Sequence, residues 1–177
     1  MSPRKKWLYE LMSDAYLDIE TTGLSSFYAD ITVIGIYLVD GRKSKLLQLV
    51  GKKVKGHNLL AALEGVNTIY TYNGRRFDLP FIRGSLGIDL EALCAHHDLM
   101  YDCWRCDLRG GLKAVEQRLG IPRKLKGIGG PEAIILWWQY QNYNDRDSLS
   151  LLLRYNREDV VNLKALRERL STYGSLE

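Results

Sequence analysis

Cysteine is scarce in this chain: only Cys94, Cys103 and Cys106 occur among its 177 residues. An odd count excludes a framework in which every cysteine pairs within the chain, and it favours a reducing compartment. Cys103 and Cys106 form a Cys-x-x-Cys motif close to His96 and His97. A structural zinc site pairs its ligands across a longer gap, so we expect three reduced thiols here rather than a metal or redox site.

Long apolar runs and a strong excess of one charge are also missing. No stretch approaches the roughly 18 uninterrupted apolar residues of a transmembrane helix. Glu10, Ser13 and Asp14 interrupt the apolar run that a signal peptide needs after its charged start. We therefore expect a cytoplasmic protein with no membrane partner. Its 25 Lys and Arg exceed its 21 Asp and Glu only slightly, which permits a polyanionic partner without requiring one.

The overall composition is that of a globular protein. Hydrophobic residues make up 46% of the chain, which argues against disorder. A domain of this length buries roughly 70% of the surface that its unfolded chain exposes. No repeat, low-complexity tract or linker interrupts the sequence, so we interpret residues 1–177 as one domain.

Runs of β-branched and aromatic residues, clearest in residues 31–39, predict strands. Asp40-Gly41 is a hairpin turn signal, so the first three strands are predicted to form an antiparallel meander. Helical spacing dominates the C-terminal third, and the whole pattern indicates an α/β protein with a mixed sheet that carries helices on its faces. We predict strands at residues 14–19, 31–39, 45–50, 67–72 and 96–101, and helices at residues 57–64, 79–86, 112–119, 131–140 and 148–170.

Asp18 and Glu20 lie two residues apart on the first predicted strand. The two-residue period of a strand places both side chains on one face. The preceding Tyr16 and Leu17 argue against a strand that faces solvent, and two buried carboxylates repel each other unless a cation lies between them. Taken alone, the pair is explained more simply by a strand end with two solvated acids.

Tyr155 and Asp159 lie four residues apart on the last predicted helix, which stacks them on one face. Leu152 and Leu163 lie near that face, so it points partly inward, and an inward carboxylate needs a partner. Taken alone, an ordinary amphipathic helix with a tyrosine against the core is the simpler interpretation.

Asp78 follows the turn signal Asn73-Gly74, directly after the fourth predicted strand. Because Leu79-Pro80 comes next, Asp78 is a good candidate for the N-cap of the following helix. The same carboxylate would also sit at the top of the sheet, so a capping role does not exclude metal chemistry.

Together, the four acids and the tyrosine suit one reaction. Mg²⁺ and similar hard cations take carboxylate oxygens. Two such ions, about 3.5–4 Å apart, stabilise both the attacking and the leaving oxygen of a phosphodiester displacement. A site of this kind draws its carboxylates from separate segments, which here are the first strand, the end of the fourth strand and the last helix.

These three segments resemble the three motifs of the DEDD superfamily of 3′–5′ exonucleases, in its tyrosine-bearing (DEDDy) branch. Residues 18–21 match Asp-x-Glu-Thr, residues 73–78 match Asn-x-x-x-Phe/Tyr-Asp, and residues 155–159 match Tyr-x-x-x-Asp. The resemblance spans about residues 14–165, and residues 72–81 are most similar to the YprB-type group of predicted exonucleases. It implies a ribonuclease H-like α/β fold with a five-stranded mixed sheet and helices on both faces.

The resemblance also implies an activity, that of a metal-dependent 3′–5′ exonuclease that hydrolyses DNA or RNA with two divalent ions, Mg²⁺ or Mn²⁺. Asp18 would bridge both ions, and Glu20 and Asp159 would complete the site for the attacking water. Asp78 would support the second ion directly or through water. Tyr155 would orient the water by a hydrogen bond, since a tyrosine that titrates near about 10 is a poor proton acceptor at neutral pH.

Substrate contacts are expected beside these motifs. The backbone after the first motif would face the terminal nucleotide, and Arg75 and Arg76 would hold phosphates, although solvated surface charge is the alternative for both. A terminal phosphodiester that must reach recessed metal ions favours a single-stranded 3′ end. Because the chain shows no partner domain, we expect another protein to target it. The predicted substrate-binding residues are Thr21, Thr22, Gly23, Leu24, Asn73, Arg75, Arg76 and Phe77.

Other charged residues near the motifs are weaker candidates. Arg123, Lys124 and Lys126 form a basic loop that is a second choice for phosphate contacts. Asp98 and Asp102 flank the fifth predicted strand, and neither is expected to be a metal ligand.

Two alternative functions stay open on the same scaffold. One is a structure-selective endonuclease, and the other is a non-catalytic module that binds nucleic acid. Intact acids argue against the binding module, because bare carboxylates hinder the binding of a polyanion.

Overall fold

The structure is a computed structural model that describes residues 13–41 and 43–173. The start of the chain, where the sequence argues against a signal peptide, lies outside the described residues. Within them, no helix combines the length and the apolar character needed to cross a membrane.

A five-stranded mixed sheet with the strand order β3-β2-β1-β4-β5 forms the centre of the fold. Strand β1 (Ser13–Thr21) pairs antiparallel with β2 (Ile31–Asp40), which pairs antiparallel with β3 (Lys43–Val50). On its other side β1 pairs parallel with β4 (Val66–Thr71), and β4 pairs parallel with β5 (Ala95–Asp98). The predicted meander and the mixed five-stranded sheet are therefore confirmed.

Six α-helices accompany the sheet in the described part of the chain. Five of them match the predicted helices to within three residues at each end, and the third helix is new. The helices are α1 (Gly56–Ala62), α2 (Asp78–Leu86), α3 (Leu99–Arg105), α4 (Leu112–Arg118), α5 (Gly130–Tyr143) and α6 (Arg146–Tyr173).

Helix α3 replaces the second half of the strand predicted at residues 96–101, because β5 ends at Asp98. Asp98 is the N-cap of α3, and its side chain accepts a hydrogen bond from the Met100 N–H at 3.1 Å. An aspartate in this position ends a strand and begins a helix at a single residue. Apolar content alone does not reveal such a boundary.

The three cysteines are free thiols. Cys103 is buried in the apolar core beneath α3. Burial raises the pKa of its thiol to about 12, which suppresses the reactive thiolate. Cys103 is therefore a packing residue.

The two faces of the sheet carry separate apolar cores. Along β1, Ala15, Leu17 and Ile19 pack with residues of α1 and α2. Tyr16 points to the opposite face and packs with residues of α3, α4 and α6. Helices therefore cover both faces, as the fold class predicts. Burying one such apolar side chain contributes roughly 1.5–3 kcal/mol.

Asp18 and Glu20 alternate along β1 with the residues that face α1 and α2, so their side chains project to the opposite face of the sheet. Helix α6 lies on that opposite face. The buried residues of α6 recur at helical spacing and form one inward stripe. The stripe is mostly apolar at its ends and polar where it crosses β1. It includes Leu152, Tyr155, Asn156, Asp159, Leu163 and Leu166.

Asn156 fixes the approach of α6 to the sheet. Its Nδ2 donates to the backbone oxygen of Asp18 at 3.3 Å and to Asp18 Oδ2 at 3.2 Å, and its Oδ1 accepts from Gln48 Nε2 at 3.0 Å. Gly35 is paired with Asp18 in the neighbouring strand, and a Cβ at Gly35 would lie 2.2 Å from Asn156 Oδ1. Glycine is required here for the helix to come this close.

We expect Gly35→Ala to destabilise the protein by about 1–3 kcal/mol, because the new methyl group overlaps a buried side chain. Gly130→Ala is the matched control: it lies in α5 with no atom within 4 Å of the added Cβ, and alanine favours a helix over glycine. Urea unfolding of both variants measures the difference. Wild-type stability of Gly35→Ala would contradict the close approach of Asn156.

Candidate active site

Three carboxylates from distant parts of the chain meet where α6 crosses β1. Asp18, Glu20 and Asp159 each place one oxygen within 4.8 Å of the other two. Glu20 and Asp159 are buried, and Asp18 is half-buried. The Oε1 atom of Glu20 is buried without a hydrogen-bond partner. A buried, unpartnered carboxylate oxygen beside two more carboxylates fits a hard divalent cation, which takes oxygen ligands.

Burial and mutual repulsion control the protonation of these acids. Desolvation, followed by the charge of Asp159, raises the pKa of Asp18 and that of Glu20 well above the usual range. Burial also raises the pKa of Asp159, while the guanidinium of Arg123 lowers it. A divalent ion among the three would remove the repulsion that raises these pKa values.

Asp78 stands beside this cluster rather than in it. It is the first residue of α2, and its Oδ1 accepts a hydrogen bond from the N–H of Ile19, the residue between Asp18 and Glu20, at 3.1 Å. The predicted capping role is wrong, since Phe77 precedes the helix and no side chain caps it. Burial raises the pKa of Asp78 to about 7, and the Ile19 N–H partly opposes that shift. The backbone contact fixes Asp78 relative to both acids of β1.

Tyr155 lies beside Asp159, which is one turn further along α6, and both line the same cleft. Burial, and then the charges of Asp159 and Glu20, raise the pKa of Tyr155 far above its usual value. The phenol therefore stays protonated at neutral pH. The Lys113 ammonium lies 4.6 Å from the centre of the tyrosine ring. A cleft of about 400 Å³ opens at this point, and its lining includes Asp18, Asp159, Tyr155, Tyr72 and Lys113.

Arg123, which the sequence offers as a phosphate contact, is an internal partner of the acids. Its side chain is only 11% exposed. Its Nη2 donates to Asp159 Oδ1 at 2.6 Å and to Glu116 Oε1 at 2.7 Å, and its Nε donates to Glu116 Oε2 at 2.7 Å. Glu116 is buried in α4 and also accepts from Asn162 at 3.1 Å. Protein carboxylates thus hold Nε and Nη2 of this guanidinium, and its Nη1 is buried without a hydrogen-bond partner, so Arg123 is not a surface group for phosphate.

Sequence reasoning missed Glu116 and Asn156 as parts of the site. The signal for Glu116 was present, because a charged residue shares helical spacing with Leu112 and Val115 on the buried face of α4. A carboxylate on such a face requires a cation. For Asn156, next to Tyr155, the sequence holds no comparable signal, because its role depends on the distance between α6 and β2.

The loop after β1 holds the first group of predicted substrate-binding residues. Thr21 Oγ1 donates to the carbonyl oxygen of Gly23 at 2.6 Å, and Thr22 Oγ1 accepts from the Asp30 N–H at 2.9 Å. Leu24 is 82% exposed. The threonines thus shape the loop, and the loop presents Leu24 to solvent.

The second group lies in a turn anchored by Asp98. The Asp98 carboxylate accepts hydrogen bonds from the Asn73 N–H at 2.8 Å and the Arg75 N–H at 3.1 Å. Asn73 adopts the left-handed region with φ 63°, which asparagine tolerates better than most residues. Phe77 packs against the core below α2, whereas Arg75 and Arg76 are exposed. Asp98 therefore holds the turn, consistent with the expectation that it is not a metal ligand.

The family follows from a comparison with known sequences. The profile of the RNase H superfamily matches residues 15–171. The chain belongs to the RNase H superfamily. This match confirms the expected ribonuclease H-like fold, and the coarse function that it supports is that of a nuclease.

Three similar proteins illustrate the relationship. YprB of Bacillus subtilis (strain 168), an uncharacterized protein, is 28% identical over 171 residues, which cover 88% of this chain and 41% of YprB. NrnC of Brucella melitensis, solved bound to pGG, has a TM-score of 0.62 at 20% identity and covers 90% of this chain and 72% of its own. The family B DNA polymerase of Pyrobaculum calidifontis has a TM-score of 0.66 at 18% identity over 89% of this chain and 24% of the polymerase. The two structures share the fold, and this chain spans less than half of YprB.

Arg123→Met should destabilise the protein by about 3–5 kcal/mol, because it leaves Glu116 and Asp159 buried without their cation. Adding Glu116→Leu should recover part of that loss, since an apolar replacement of a buried pair is tolerated far better than half of the pair. Lys124→Met is the control, because Lys124 is exposed and surface changes stay within about 0.5 kcal/mol. Urea unfolding tests the series, and a loss below about 1 kcal/mol for Arg123→Met would contradict the stabilisation of Glu116 and Asp159 by Arg123.

Metal-free protein should lose stability as the pH rises from about 4 towards neutrality. Unfolded carboxyl groups titrate near about 4, whereas burial raises the pKa of Asp78 to about 7 and lifts those of Asp18 and Glu20. In that window the folded protein binds more protons than the unfolded chain, so the free energy of unfolding falls with pH.

Thermal unfolding near pH 5 and near pH 8, with and without Mg²⁺ or Mn²⁺, measures this effect. The ions should raise the midpoint more at the higher pH, where they do not compete with protons. The triple variant Asp18→Asn, Glu20→Gln, Asp78→Asn serves as the control and should show a flatter pH dependence and little response to the ions. A wild-type protein that behaves like the triple variant would rule out a cation site at these acids.

Proposed function

We propose that this chain is a metal-dependent 3′–5′ exonuclease that hydrolyses phosphodiester bonds of DNA or RNA. One observation carries the proposal: Asp18, Glu20 and Asp159 converge with oxygens within 4.8 Å of one another, in a cleft that Tyr155 also lines. Membership of the RNase H superfamily supports a nuclease on this scaffold. The direction of attack and the metal dependence are inferred from the residues around the cluster.

Asp18, Glu20 and Asp159 would hold one divalent ion, Mg²⁺ or Mn²⁺, and Asp18 with Asp78 would hold a second. Bound divalent ions supply charge stabilisation for the attacking and leaving oxygens and lower the pKa of the attacking water. Tyr155 stays protonated and would orient that water by a hydrogen bond, and the Lys113 ammonium packs on its ring. Asp78 is held in place by the Ile19 N–H.

Two segments next to the acids are the proposed contacts for the substrate. The loop Thr21–Leu24 continues directly from Glu20, and the turn Asn73–Phe77 ends at Asp78. We infer that these segments hold the terminal nucleotide, and that Arg75 and Arg76 contact phosphates of the substrate strand. NrnC bound to pGG supports a nucleic-acid substrate for this fold, and the recessed position of the acids favours a single-stranded 3′ end.

We also infer that residues 1–177 act as one exonuclease domain in the cytoplasm, directed to its substrate by another protein. The region of YprB that matches this chain makes up 41% of YprB. That proportion supports a nuclease domain that works together with other polypeptide segments.

Release of mononucleotides from a labelled single strand, with Mg²⁺ or Mn²⁺ present, tests the proposal directly. Asp18→Asn and Asp159→Asn should each reduce the rate by about 100-fold or more, because each removes a charge that the ions need. Tyr155→Phe should cost about 10- to 100-fold, as expected for loss of an orienting hydrogen bond. Asp147→Asn, on the exposed start of α6, is the control and should retain the wild-type rate.

The same experiment separates the other functions. Cleavage of a circular single strand would indicate an endonuclease instead of an exonuclease, because a circle has no end from which an exonuclease could start. Strand binding in chelator with no cleavage under either ion would indicate a binding module instead. A wild-type rate for Asp18→Asn would exclude catalysis at this site.

A further inference from the structure

We propose that Arg76, Trp104 and Arg109, here called the arginine–tryptophan platform, bind the phosphate backbone of a single nucleic-acid strand beyond the nucleotide being cleaved. This inference rests on the proposed nuclease function and extends it along the substrate. It assigns a role to Trp104 and Arg109, which no motif in the sequence singles out.

The platform combines two guanidinium groups on one aromatic ring. The Cζ of Arg76 lies 5.7 Å from the centroid of the Trp104 ring, and the Cζ of Arg109 lies 5.4 Å from it. Each contact is attractive, because the face of a tryptophan ring is electron-rich. Two cations on one ring nevertheless repel each other, and a polyanion between or beside them would relieve that repulsion.

Neither guanidinium is neutralised by a strong ion pair. Among the described residues, no carboxylate lies within ion-pair distance of Arg76. The acid nearest to Arg109 is Asp107 at 3.9 Å, and the side chains of that pair are 63% and 98% exposed. An exposed pair of this kind contributes little. Both positive charges are therefore available to a ligand.

The other two arginines of this surface are already paired with carboxylates. Arg75 contacts Glu91 at 3.3 Å, and Arg105 pairs with Asp102. Asp102 also accepts from His97. These pairs reduce the net charge around the platform without touching Arg76 or Arg109.

Hydrogen bonds hold in place the segments that carry the three residues of the platform. Asp98 caps α3, which carries Trp104, and the same carboxylate accepts from the Asn73 and Arg75 N–H groups of the turn that carries Arg76. The Tyr72 hydroxyl donates to the carbonyl oxygen of Gly110 at 2.6 Å. That bond ties the segment that carries Arg109 to the end of β4. Preorganised groups lose less conformational freedom on binding.

The segments that carry the platform also lie next to the acids. Tyr72 and Gly111 line the cleft that also contains Asp18 and Asp159. Arg109 lies two residues before Gly111, and Arg76 lies two residues before Asp78. A strand whose 3′ end reaches the acids would therefore continue past this surface. Phosphates bound by positively charged side chains are contacts that a sequence-tolerant single-strand site uses.

Binding of a fluorescent 20-nucleotide single strand in excess chelator tests the platform without requiring cleavage. Measurements across a salt series should show that Arg76→Gln/Arg109→Gln binds about ten-fold more weakly and that its log–log salt slope is smaller by about 1.4, since each lost charge removes about 0.7 for a single strand. Arg76→Lys/Arg109→Lys keeps both charges and should keep the slope. Arg169→Gln, an exposed arginine on α6, is the matched control and should bind like the wild type.

The platform would be excluded if the double glutamine variant and Arg169→Gln gave the same affinity and slope. That result would leave an acidic protein surface as the remaining ligand class. The three variants should share the wild-type unfolding midpoint, because the three substituted arginines are exposed. If the proposed nuclease function is wrong, the outcome is different: no cleavage is seen, but the difference in binding between the variants remains. If cleavage is present, the KM for the 20-nucleotide strand relative to that for a dinucleotide should rise in the double glutamine variant and not in Arg169→Gln.

Discussion

Carboxylates repel one another when they are taken out of water, and this chain places Asp18, Glu20 and Asp159 together on one face of its sheet. Folding must compensate for that repulsion with groups that the rest of the structure supplies. Asn156 donates to Asp18, and Arg123 pairs with Asp159. One oxygen of Glu20 keeps no partner at all. The charge left uncompensated is what a divalent cation would neutralise.

Much of the surrounding architecture is explained by the need to hold these compensating groups at short range. Gly35 lacks a side chain so that Asn156 can lie directly over β2. Glu116 is buried in α4, where it forms two hydrogen bonds with Arg123 and orients the guanidinium that reaches Asp159. Because Glu116 fixes the Arg123 guanidinium, that guanidinium keeps the Asp159 carboxylate oriented without filling the space among the three acids.

Asp98 shows why an acid close to a motif is not automatically part of the site. Its carboxylate receives hydrogen bonds from the backbone N–H groups of Asn73, Arg75 and Met100. Donors of this kind satisfy the negative charge locally, so no cation is required. Glu20, which is equally buried, keeps one oxygen without a hydrogen-bond partner and is in the opposite situation. The difference between a structural and a candidate catalytic carboxylate therefore lies in what its oxygens face.

Local patterns were sufficient for most of the fold. The β-branched run of β2, the Asp40-Gly41 turn and the helical spacing of α4 and α6 depend on neighbours in the sequence, so the first four strands and five helices could be predicted closely. Helix α3 could not, because its start depends on one capping side chain at Asp98. The spacing of Asp18 with Glu20, and of Tyr155 with Asp159, likewise follows from the periods of strand and helix.

What the sequence determined by itself is which residue types share a face of each element, since that depends only on backbone geometry. What only the tertiary structure decided is which faces meet. Nothing local indicates that Arg123 turns inward to Asp159 and Glu116, or that Arg76 and Arg109 share the ring of Trp104. The contacts of Arg123 with Asp159 and of Arg76 with Trp104 join segments that are far apart in the chain, and they form only because packing of α3, α4 and α6 against one sheet brings those segments together.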